Sequence, residues 1–65
     1  MSEEIEELRA KFLKELASVP IPLRDEIIAV IDEEPVSWSA AFVEVHNKTG
    51  KGDKILKFLK KVGLL

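Results

Sequence analysis

The chain has no cysteine, tyrosine or glutamine, and only one histidine, one tryptophan and one asparagine. Without cysteine there is neither a disulfide nor a thiolate to hold a metal. One histidine with no serine or carboxylate at a nucleophile-like spacing leaves little for catalysis, so no enzyme is expected. His46, beside an apolar stripe and near a helix C-terminus, fits a partly buried or capping role better than a general base. No uncharged run approaches the ~18 apolar residues that a membrane span needs. The start, Met-Ser-Glu-Glu, is acidic where a secretory or transit segment would be basic. A soluble, cytoplasmic chain is expected, with no cofactor, no metal and no membrane partner.

What is present fits one small domain. The 65 residues include 46% apolar side chains, enough for a single core. Nine glutamates and eight lysines dominate the charged set, and amides are nearly absent. That is the compositional bias of hyperthermophile proteins. Charge is unevenly placed. Residues 1–34 carry ten acids and four bases, whereas residues 35–65 carry two acids and six bases. The asymmetry implies an acidic face and a basic binding face, or two ends that attract each other.

Apolar periodicity predicts an all-α fold, a compact bundle of four short helices over about 3–18, 22–33, 37–47 and 53–62. In the first, Ser2 is placed to cap, and Ile5, Leu8, Phe12, Leu13 and Leu16 recur at helical spacing. Glu7 and Lys11 stand at pairing distance, and Val19-Pro20-Ile21-Pro22 ends the helix. In the second, Pro22 opens the first turn and Leu23, Ile27, Val30 and Ile31 form the buried stripe. Arg24 falls inside that stripe and must snorkel or find a carboxylate. Glu34-Pro35 breaks it.

Ser37 is a cap for the third helix, whose stripe is Trp38, Ala41, Phe42 and Val45. The run Phe42–His46 also suits a short strand, but Ala40, Ala41 and the serine cap of the segment favour helix. Trp38 serves best as a core anchor. Lys48-Thr49-Gly50-Lys51-Gly52 reads as a loop, because two glycines in five residues weaken a helix. Asp53 then caps the fourth, with Ile55, Leu56, Phe58, Leu59 and Val62 inward and Gly63 as its left-handed stop.

Two motif-like stretches do not qualify. Thr49-Gly50-Lys51-Gly52-Asp53-Lys54 lacks the phosphate-loop spacing, and Glu3-Glu4-Glu6-Glu7 and Asp32-Glu33-Glu34 lack the alternation and central glycine of a calcium loop. The strongest functional lead is basic. Lys48, Lys51, Lys54, Lys57 and Lys61 share one side of the last helix and its approach. Lysine contacts to phosphate would be sequence-independent and salt-sensitive. A solvated lysine face is the plainer alternative.

From Pro22 onward the sequence resembles the tri-helical, helix-turn-helix core of winged-helix regulators of the arsenic-repressor type. The residues that carry the likeness are Pro22-Leu23-Arg24-Asp25-Glu26-Ile27-Ile28-Ala29-Val30-Ile31, the turn Glu34–Ser37, the segment Trp38–His46, and Leu59-Lys60-Lys61-Val62-Gly63-Leu64-Leu65. It covers residues 22–65, lacks the wing, and has no counterpart of the metal-sensing cysteines. The resemblance implies docking of residues 49–57 on double-stranded DNA or another nucleic acid. The lysines would set phosphate contacts, with Asn47 and Thr49 as base-reading candidates. It also implies that the first helix serves a homodimer or covers the open face of the core. The tentative nucleic-acid set is Lys48, Thr49, Lys51, Lys54, Lys57 and Lys61. The rival expectation is a protein–protein interaction module, meeting an acidic partner or docking through Leu64-Leu65.

Overall fold

The computed structural model describes residues 2–65. Helix α1 spans Ser2–Ala17, and a 3-10 turn follows at Ile21–Leu23. Strands β1 (Ile27–Ile31) and β2 (Glu34–Ser37) form an antiparallel hairpin, and helices α2 (Trp38–His46) and α3 (Gly50–Lys61) complete the chain. Among the described residues the fold is therefore three α-helices and a two-stranded sheet, not four helices. The expected all-α bundle fails over residues 22–37, where the expected second helix and the turn after it are a 3-10 turn and the hairpin. The expected Ser2 cap concerns a side chain outside the described ones.

The hairpin has a physical reason that helical spacing hides. Ile27, Ile28, Val30 and Ile31 are β-branched, with stiff side chains that suit a pleated surface better than a helix. From Ala29 to Ile31 the strand alternates buried, exposed, buried, while Ile27, on the far side of a register irregularity, is exposed. Asp32 and Glu33 form the two-residue turn. Both have positive φ, 51° and 68°, the sign pattern of a type I′ turn whose twist matches the strands it joins. Register runs from Ile31 opposite Glu34 to Ile27 opposite Ser37, with an irregularity at Ile28. A two-residue turn closes on a hydrogen-bonded pair, here Ile31–Glu34. The next pair, Val30–Pro35, is then a non-bonded one, so Pro35 lacks its N–H where the ladder does not need it.

Arg24 finds carbonyls rather than a carboxylate. Its guanidinium donates to Val19 O at 3.1 Å and Leu16 O at 3.3 Å, placing a cation on the C-terminal end of α1. The hairpin is tied to α2 by the Trp38 amide on Glu26 O and the Ser39 amide on Arg24 O. Ser37 caps α2 as expected, accepting the Ala40 amide at 3.1 Å.

Helix α3 begins three residues earlier than its glycines suggested. Thr49, not Asp53, is the cap, and its hydroxyl accepts the Gly52 amide at 3.0 Å. The left-handed residue between α2 and α3 is Lys48, at φ 57°. There the Thr49 amide reaches Glu44 O and the Lys48 amide reaches Val45 O, a Schellman closure with lysine at the glycine position. Gly63, at φ 88°, closes α3 by the same pair of bonds, Leu64 to Leu59 and Gly63 to Lys60.

Helix α3 packs against α1, α2 and β1. Its Ile55, Leu56 and Leu59 are fully buried with Phe12 of α1 and Val45 of α2. Trp38 is buried as expected, its ring 5.7 Å from that of Phe12.

Candidate functional site

The basic helix presents its lysines in two environments. Lys51 bridges Glu34 and Lys54 bridges Asp32, each at 3.0 Å, so the start of α3 is neutralised by the hairpin turn. Lys60 bridges Glu4 of α1. The Glu34 carboxylate raises the Lys51 ammonium above its ordinary pKa. The Lys60 hydrogen bond and charge hold Glu4 below its ordinary carboxylate value, with a smaller pull from Lys57. Lys48, Lys57 and Lys61 are exposed and make no ion pair among the described residues.

Thr49 is committed internally. Besides capping α3, its hydroxyl lies 2.6 Å from the Glu44 carboxylate, to which it donates. It belongs to the α2–α3 junction.

Lys48 and Lys57 meet across a cleft of about 430 Å³ between α1 and the start of α3, also lined by Glu4, Ile5, Glu6, Arg9 and Asp53. At its base is Arg9, 7% exposed and unremarked by sequence reasoning. Its Nε donates to Val45 O at 3.1 Å, one terminal nitrogen contacts Glu6, and the other lies 3.4 Å from Asp53. One side chain thus ties α1 to the end of α2 and the first turn of α3. The signal in the sequence was its position: Arg9 adjoins Leu8 on the arc that also carries Ile5 and Phe12. Each Arg9 nitrogen has a protein acceptor, and the cleft's three acids, Glu4, Glu6 and Asp53, face three bases, Arg9, Lys48 and Lys57, with no buried side-chain nitrogen or oxygen among the described residues left without a partner. Among the described residues no three metal-capable side chains converge. His46 stacks on Phe42, ring centroids 5.2 Å apart, in the last turn of α2.

A run of exposed apolar side chains lies elsewhere. Ile21 is 75% exposed, Leu23 45%, and Ile27 and Val30 56% each, four large side chains within ten residues. Pro20, Pro22 and Pro35 are exposed beside them in sequence or register. Asp25, Glu26, Asp32, Glu33 and Glu34, all exposed, flank the strand at both ends. Helical spacing places Ile27 and Val30 inward, whereas the hairpin turns both outward, a surface that helical periodicity does not reveal.

Among the described residues no helix is long and apolar enough to cross a membrane. Comparison with protein families, curated proteins and solved structures finds no match to the chain.

Proposed function

We propose that this protein is a cytoplasmic, non-enzymatic protein–protein interaction module that docks through the outer side of its hairpin. The observation that carries this reading is the exposure of Ile21, Leu23, Ile27 and Val30 in one ten-residue segment. Scattered apolar residues on a surface are ordinary, but clustered ones mark contact surfaces. A site-specific photo-cross-linker tests it, placed at position 30 or, as a control, at position 61 in source-cell extract. Protein adducts from position 30 and none from position 61 are the expected result. Equal labelling from both positions, or none from position 30, overturns it.

A second reading is nucleic-acid binding through the basic helix, favoured by the exposure of Lys48, Lys57 and Lys61 without ion pairs among the described residues. Against it stand the three ion pairs that hold Lys51, Lys54 and Lys60. Fluorescence anisotropy with a labelled random-sequence duplex, at low and near-physiological salt, separates the two readings. Salt-sensitive binding lost in folded Lys48→Glu/Lys57→Glu/Lys61→Glu protein would establish the nucleic-acid reading. No binding at low salt would remove it.

A further inference from the structure

Resting on the protein-interaction reading, we infer that the outer edge of β1 accepts an extended polypeptide as a third strand, one with alternating apolar side chains and Lys/Arg flanks. The edge is chemically open. Because Val30 sits in a non-bonded pair with Pro35, its N–H and C=O point away from β2. No other backbone or side-chain hydrogen bond among the described residues takes them.

The two edges of the sheet differ. On β2 the outward position opposite Val30 is Pro35, which has no N–H to offer. Edge strands are ordinarily blunted by proline, lysine or inward charge. On β1 all five residues, Ile-Ile-Ala-Val-Ile, are uncharged and none is proline. The ladder irregularity at Ile28 limits the open stretch to its turn-proximal half, so a short segment suits it. Strand addition takes affinity from main-chain bonds and specificity from alternate side chains, and exposed Val30 and Ile27 offer the apolar contacts.

Charge selects the occupant. Asp25 and Glu26 precede β1, and Asp32 and Glu33 follow it. Antiparallel pairing with a second copy would lay Asp25–Glu26 of each chain beside the Asp32–Glu33 turn of the other. Like charges so placed oppose self-association. A segment with basic ends meets the same acids favourably, and Asp25, Glu26 and Glu33 have no ion pair among the described residues.

The test is a titration of the isotope-labelled protein, followed by amide NMR, with the peptide Lys-Lys-Val-Thr-Val-Thr-Val-Lys-Lys. Two controls accompany it, the same peptide N-methylated at alternate amides and one with glutamate flanks. The expected result is saturable binding by the lysine-flanked peptide, with the Val30 amide among the most shifted and its hydrogen exchange slowed. Each control should bind roughly tenfold more weakly or worse, the loss of one or two net hydrogen bonds or ion pairs. Equal binding by the N-methylated peptide at the same surface overturns strand addition while leaving an apolar docking face. Equal binding by the glutamate-flanked peptide overturns the charge selection. No binding by any of the three overturns the inference, and the cross-linking at position 30 then decides the parent reading independently.

Discussion

Two glycines in the first turn of α3 should respond in opposite directions to the same substitution. A methyl at Gly50 meets nothing within 4 Å. Gly50→Ala therefore keeps only the helix-propensity gain, at most about 1 kcal/mol and less at a helix end. At Gly52 the added carbon would lie 2.5 Å from the Glu44 carbonyl oxygen, 2.8 Å from its carbon and 3.1 Å from Val45 Cα. All three are backbone atoms, so no rotamer change relieves the overlap. Either α3 withdraws from α2, pulling Ile55 and Leu56 from the core, or the Glu44 carbonyl turns and loses the Thr49 amide. Overpacking costs about 1–3 kcal/mol and a lost hydrogen bond about 1, against a propensity gain of about 1. The net loss is about 2 kcal/mol. For a 65-residue domain that lowers Tm by about 15 °C. Urea and thermal unfolding followed by circular dichroism measure both variants. Gly52→Ala protein as stable as wild type would refute the close approach of α3 to α2.

Glu33 holds φ 68° with an exposed side chain, so Glu33→Gly should stabilise by about 0.5–1 kcal/mol, read as a higher urea midpoint with unchanged slope. Arg9→Met should cost about 2 kcal/mol, because Val45 O loses its buried donor while Glu6 and Asp53 can turn to water; an unchanged midpoint would show that the clamp contributes nothing. Glu4 is held below its ordinary value by Lys60, so its contribution is present above the unfolded carboxylate pKa and fades as pH falls through the lower folded one. Lys51 is raised by Glu34, so its contribution is present below the unfolded lysine pKa and is lost as pH rises through the higher folded one. Glu4→Gln should flatten the acid limb of the Tm–pH curve, Lys51→Met the alkaline limb, and high salt both.

Helices α1 and α2, the Ser37 cap, the Trp38 anchor and the Gly63 stop were legible because each has a local cause. The hairpin was not. Leu23, Ile27, Val30 and Ile31 satisfy helical spacing, the strand is a continuous apolar run with no polar residue to mark alternation, and the segment is too short for periodicity to decide. Its turn, Asp32-Glu33, lacks the asparagine or glycine that announces a type I′ turn. The composition of the strand, four β-branched residues in five, was the available signal. The start of α3 was misplaced for a related reason. By composition Gly50 and Gly52 favour a loop, whereas Gly52 admits the backbone of α2 and the left-handed turn falls on Lys48. The five lysines and Thr49 lie on α3 or just before it, but the ion-pair partners of Lys51 and Lys54 depend on tertiary packing that no local pattern encodes.

That pairing gives the competing readings opposite dependence on the same two side chains. Asp32 and Glu34 screen Lys54 and Lys51 from an incoming phosphate, and they also make the hairpin attractive to a basic segment. Both pairs are exposed, so neither holds the fold together to any large extent. Asparagine is welcome at the first position of a type I′ turn, and Glu34 carries no hydrogen bond beyond its lysine among the described side chains. Asp32→Asn/Glu34→Gln protein should therefore remain folded, which its Tm checks. Under the nucleic-acid reading it releases two lysines beside Lys57, and affinity for duplex DNA should rise with a steeper salt dependence. Under the strand-addition reading it removes two of the five acids around β1, and affinity for the lysine-flanked peptide should fall. A module that uses its hairpin shows the second change without the first. A rise in duplex affinity with no loss of peptide binding would mean that the acids exist to restrain the basic helix.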